Sequence, residues 1–276
     1  EWEELIRPVD EASTHEIARA LSGSVLRMET YAADDPVPAN PYLVEQSRYI
    51  VRQVRERGDH HPNAVLLPSL LENITYHYER FVEDPLCRHV INLNRDAFGL
   101  TSHSITVSFA RRRTVDDEPP FDDVDERKWW IDAHDPAQQR YYLSETRAEF
   151  IHLSNLQGWR LGLPYQQRSN ALVLPKGPAP VGLGPKDIAY EQFRDLFKSP
   201  EWVAQRELTS QSVQRYFKTA DGKLLPDGTA EFEALAGPLE IAQLNKTALD
   251  VYGDVSPAID IREELAKIGY LPMKLF

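Results

Sequence analysis

In the middle of the chain, apolar side chains return at every second position. His89, Ile91 and Leu93 alternate with polar neighbours, and His103, Ile105, Val107 and Phe109 alternate with Ser104, Thr106 and Ser108. A period of two suits a half-buried strand and cannot line one face of a helix. Any fold for this chain must therefore contain a sheet in its centre.

Helical signals precede that centre. Ser13 and Glu16 have capping-box spacing ahead of Ile17, Leu21, Val25 and Met28, and Ser69 and Glu72 repeat the spacing ahead of Leu70, Leu71, Ile74, Tyr78 and Phe81. Between them, Asn40-Pro41 supplies a cap and first-turn proline for Leu43, Ile50 and Val54, with Gly58 as a stop. Three N-terminal helices are expected. After the alternating segments, Lys128 to Ile131 predicts a short strand, and Asp135-Pro136 predicts a helix running to Gln157. Strands are expected at Arg160 to Leu163 and Ala171 to Leu174. Helices are then expected over Ile188 to Phe197, Pro200 to Phe217, Ala230 to Val251 with an interruption near Gly237-Pro238, and Ile261 to Ile268.

The expected class is α+β, a mainly antiparallel central sheet over about residues 86–175 flanked by N-terminal and C-terminal helices. The segment Pro175 to Pro185 carries four prolines and three glycines in eleven residues. It divides a first part, 1–175, from a helical second part, 186–276, the two being expected to pack as one compact unit.

Composition narrows the function classes. Cys87 is the only cysteine, which forbids an intramolecular disulfide and suits a reducing compartment. A net charge of -12 opposes a polyphosphate backbone, so nucleic acid is not an expected partner. The sequence holds no apolar run of bilayer length, and Glu1-Trp2-Glu3-Glu4-Leu5 lacks the basic and apolar regions of a secretory signal. The expectation is a cytoplasmic protein outside the membrane.

The densest group of titratable side chains lies on the helix expected after Asp135. Glu145, Glu149 and His152 would share one side of it, and a Glu-x-x-His pair can ligate a divalent metal in helical bundles. His134 stands just before the cap, beside Asp132, Trp129, Trp130, Tyr141 and Tyr142. His134, Glu149 and His152 are thus candidates for acid/base catalysis, and Glu145, Glu149 and His152 for metal binding.

Other histidines fit blander roles. His60-His61 lacks the Asp-Gly that follows acyltransferase histidine pairs, His77-Tyr78-Glu79 falls in an expected helix, and His103 faces inward with Ile105 and Val107 as a core histidine. Asp122-Asp123-Val124-Asp125-Glu126 reads as a solvated acidic loop. No phosphate-cradling glycine motif and no complete nucleophile motif occurs.

Two functions remain. One is an enzyme acting on a small molecule, with a divalent metal as the only cofactor implied. The other is a non-catalytic structural or accessory subunit of a larger viral or multiprotein assembly. The second draws on the Pro-rich loops and on the ending Tyr270-Leu271-Pro272-Met273-Lys274-Leu275-Phe276. There Leu271, Met273, Leu275 and Phe276 would form an apolar strip for docking, in cis or onto an oligomer partner.

Overall fold

The structure, a computed structural model, describes residues 11–33, 40–78, 81–156, 158–242, 244–255 and 259–270. The apolar tail Leu271, Met273, Leu275 and Phe276 lies outside the described residues. The class is mixed α+β with the weight on β: the described residues form nine antiparallel strands and six helices. Helix α1 (Glu11–Ala20) leads into β1 (Arg27–Thr30), β2 (Leu43–Arg55), β3 (Val65–His77), β4 (Leu86–Arg95) and β5 (Thr101–Ser108). Helix α2 (Val124–Asp132) interrupts before β6 (Arg140–Asn155) and β7 (Gly158–Pro175). Helices α3 (Tyr190–Leu196) and α4 (Pro200–Gln205) precede β8 (Glu207–Tyr216) and β9 (Ala236–Ala242), and α5 (Lys246–Val255) and α6 (Ile261–Lys267) close the chain. Every strand pairs with its sequence neighbour, in the order β1 to β9. Among the described residues no helix is long and apolar enough to cross a membrane.

The alternating segments became β4 and β5, with Ile91 opposite Ile105 and His89 opposite Val107. Their connection is set by Asp96, whose carboxylate accepts from the amides of Phe98 and Leu100 at 2.9 Å, while Gly99 takes φ +92°.

Two of the three expected N-terminal helices are strands instead. In β2 the pairing with β3 slips at Arg48/Tyr49 and again at Gln53/Arg55. Each bulge transfers the following side chains to the other face, so period two is broken and the apolar spacing imitates a helix. In β3 almost every residue is half-buried, so neither face is fully wet and the alternation disappears. Cross-strand packing then outweighs the capping spacing of Ser69 and Glu72. Pro68 is tolerated because β4 pairs with β3 only from Glu72 onward, leaving an edge at the proline.

The helix expected from Asp135 to Gln157 is also corrected. The cap is real: Asp135 accepts from the Ala137 amide at 2.7 Å, and Gln138 completes a capping box. It starts only a single 3-10 turn, Pro136–Gln139, before β6 begins. Conversely, Lys128 to Ile131 belongs to a helix, because Asp123 accepts from the amides of Asp125 and Glu126 at 2.9 and 3.0 Å and two acids occupy the first turn. The helix expected over Pro200 to Phe217 stops at Gln205, and β9 replaces part of the one expected over Ala230 to Val251. Pro238 in β9 fits a terminal strand that pairs on one side only.

Two compact units divide the chain: one of residues 1–145 and 171–206, the other of 146–170 and 207–276. The Pro-rich segment 175–185 lies inside the first. That unit holds the main core, in which Ile91, Ile105, Val107 and Leu174 from the strands meet Phe193, Phe197 and Trp202 from α3, its cap and α4. Phe193 stands edge-on to Trp202 at 5.8 Å, and the Trp202 indole donates to the Pro180 carbonyl at 2.7 Å. In the second unit Tyr216 is buried and its hydroxyl donates to the Pro164 carbonyl at 2.8 Å.

Candidate functional site

The strand assignment of β6 rearranges the expected catalytic and metal-binding group. Along a strand, side chains three apart point to opposite faces, so Glu149 and His152 do not share the surface a helix would have given them. Glu149 is exposed, and His152 Nδ1 accepts from the Gly162 amide at 3.1 Å. His134 follows α2, its ring 4.1 Å from that of Trp130 and its Nδ1 2.7 Å from the Trp130 carbonyl, which fixes Nδ1 as the donor. Among the described residues no three His, Cys, Asp or Glu side chains converge as metal ligands.

Glu145 is in a different position. It is 2% exposed and points inward on β6 with Tyr141 and Leu143. Its Oε1 meets His103 Nε2 at 2.8 Å and an Arg206 guanidinium nitrogen at 3.4 Å. Arg206, just past α4, also lies 4.0 Å above the Phe197 ring and donates to the Phe197 carbonyl. A carboxylate, an imidazole and a guanidinium are thus held together against the aromatic core. This group ties β5, β6 and the end of α4 to one another. Its three side chains are 2–13% exposed, so the group is set against the core rather than open to a substrate.

A second polar chain stands in the same unit. Glu72 on β3 pairs with Arg48 of β2 at 2.7 Å and with buried His89 of β4 at 3.1 Å. Arg48 continues to Glu191 at 3.2 Å and lies 5.5 Å from the Tyr190 ring centre. Glu191 is held below the usual carboxylate range, first by its own backbone amide and then by Arg48. Burial raises Tyr190. Burial also pushes the Cys87 thiol up to about 12, which keeps it an unreactive thiol rather than a nucleophile.

A cavity of about 220 Å³ opens between the end of β3 and the connection that carries α2. Its walls include Tyr78, Phe81, Phe121 and Trp130, with the Phe81 and Phe121 rings edge to face at 6.1 Å. At its rim Arg111 donates to Asp84 through Nε at 2.9 Å, and the same carboxylate accepts from the Arg112 amide at 2.7 Å. Sequence reading missed this cavity and Arg206 alike. Phe81 and Phe121 lie 40 positions apart with no shared motif, and Arg206 has no spacing that announces a partner at 145.

The family model of the insecticide toxin TcdB middle/C-terminal region matches residues 16–163, more than half of the chain, and the chain belongs to that family. It is similar to one chain in a crystal structure of TcdB2-TccC3, with 26% identity and a TM-score of 0.81 over 98% of its length. A crystal structure titled TcdB2-TccC3-Cdc42 gives the same 26% and 0.81, and the Photorhabdus luminescens Tc holotoxin pore gives 27% and 0.79. The chain spans only 12 to 13% of the length of the chains it matches there. No curated protein matches it. This membership overturns the expectation of a small-molecule enzyme and favours the assembly reading.

Proposed function

We propose that this chain is a structural section of a TcdB-type component, and that it works by contacting protein neighbours within a Tc toxin assembly. The observation that carries the reading is the pairing of a closed interior with an open apolar surface. The buried titratable group at Glu145 is internally neutralised, while Leu156, Trp159, Val181, Trp129 and Val124 are more than two-thirds exposed. Leu156 with Trp159 at one turn, and Val124 with Trp129 on one helix, supply local apolar surface of the kind a partner covers. The similar chains in TcdB2-TccC3 complexes support protein partners as the covering material.

Leu156 and Trp159 stand at the β6–β7 turn, away from any buried side chain of β7, so changing them leaves the core intact. In the full-length component, Leu156→Glu and Trp159→Glu are expected to lower the yield of complex with a TccC-type partner several-fold, while the circular dichroism spectrum stays that of the parent. Size-exclusion chromatography with light scattering reads the complex. Parental yields from both variants would contradict the proposal.

A further inference from the structure

The connection between β5 and β6 is the least economical piece of the sheet. Thirty-one residues, 109–139, join two neighbouring antiparallel strands that a short turn could join. They carry α2, in which no residue is buried, although Val124, Trp129 and Ile131 are 79%, 67% and 46% exposed. They also carry Phe121 and Trp130, which close the cavity against Tyr78 and Phe81. A helix with no fully buried side chain gains little from forming unless its exposed apolar side chains are covered elsewhere.

Size and charge together select what covers it. An apolar cavity of about 150 Å³ holds a benzene ring, so the aromatic-walled space here admits one large apolar side chain. Residues 109–139 hold nine Asp and Glu against five Lys and Arg. Three of those five are already engaged, Arg111 with Asp84, Arg127 with Glu118 and Arg113 with the Glu118 carbonyl, and the cavity wall itself balances Arg111 and Arg113 against Glu83 and Asp84, so the excess of acid lies on the helix side. Asp116, Asp122 and Glu126 are exposed around the helix. The surround therefore repels anionic partners and attracts cationic ones.

We propose that the β5–β6 connection is a docking site for a cationic polypeptide segment that inserts one aromatic side chain into the cavity between Phe81, Phe121 and Trp130. The proposal rests on the reading that this chain meets protein neighbours, and names the chemistry of one of them. Its test on the chain alone can fail while the Trp159→Glu assembly test succeeds, so the two readings fall separately.

The test is calorimetric titration of the chain with three synthetic peptides: a lysine-rich peptide with one central phenylalanine, the same peptide with alanine there, and a glutamate-rich peptide with the phenylalanine. The lysine–phenylalanine peptide is expected to bind at least about tenfold more tightly than either control, and to weaken as salt rises. Asp116→Asn with Asp122→Asn and Glu126→Gln should weaken it several-fold, and Phe121→Ala about tenfold. Leu86→Trp, which fills the cavity from its half-exposed rim, provides a second variant should Phe121→Ala fail to fold. No binding, equal binding of the alanine or glutamate peptide, or unchanged binding to Leu86→Trp would each overturn the proposal.

Discussion

Replacing Glu145 by alanine is expected to destabilise the protein by about 3–5 kcal/mol, since it removes the shared acceptor of two buried groups. Its carboxylate is 2% exposed, and the side chains of Arg206 and His103 are 10% and 13% exposed, so water cannot readily replace it. The cost arises mainly from removing the carboxylate opposite a guanidinium in a poorly hydrated site rather than from the worth of the pair itself. The double variant Glu145→Leu with Arg206→Met removes both charges at once and is expected to be more stable than Glu145→Ala alone. Urea denaturation of the three proteins checks the ordering. A single variant no less stable than the double would show that the pair does not act as a buried charge cluster.

Trp202→Ala is expected to cost about 3–5 kcal/mol, the range for deleting a large aromatic side chain from a packed core. Trp202 is fully buried, packs against Phe193 and Phe197, and donates to the Pro180 carbonyl at 2.7 Å. Alanine would open a cavity beside two rings and leave that carbonyl without its donor. Trp202→Phe keeps most of the volume and loses the hydrogen bond, so it should retain roughly half or more of the lost stability. A loss below about 1 kcal/mol for Trp202→Ala would mean that α4 is not part of the cooperative core.

What the sequence revealed depended on how cleanly each strand separates a wet face from a dry one. In β4 the positions 87, 89, 91, 93 and 95 are all buried, and the inward face was legible from residue type. β2 and β3 were not legible, because bulges shift the faces of one and half-burial on both sides blurs the other. β6 was hidden by a true cap at Asp135 that ends after one turn, and by a buried glutamate at an inward position, where a strand's alternation calls for an apolar residue. His103 was readable as an inward-facing core histidine, and the structure supplies its partner, Glu145. Glu145 itself drew attention as a member of a helical trio that the strand dissolves. Its actual partners come from positions 42 before and 61 after it, a pairing that only the assembled fold creates.

The central claim, that this section serves protein contacts rather than catalysis, is tested most directly by hydroxyl-radical footprinting of the chain alone and within the full toxin assembly. Trp129 and Trp159 are 67% and 76% exposed in the chain. The account predicts that their oxidation slows several-fold in the assembly, while buried Trp202 stays slow in both. Unchanged oxidation of Trp129 and Trp159 would contradict it, because the apolar surface that defines the section would then face only water.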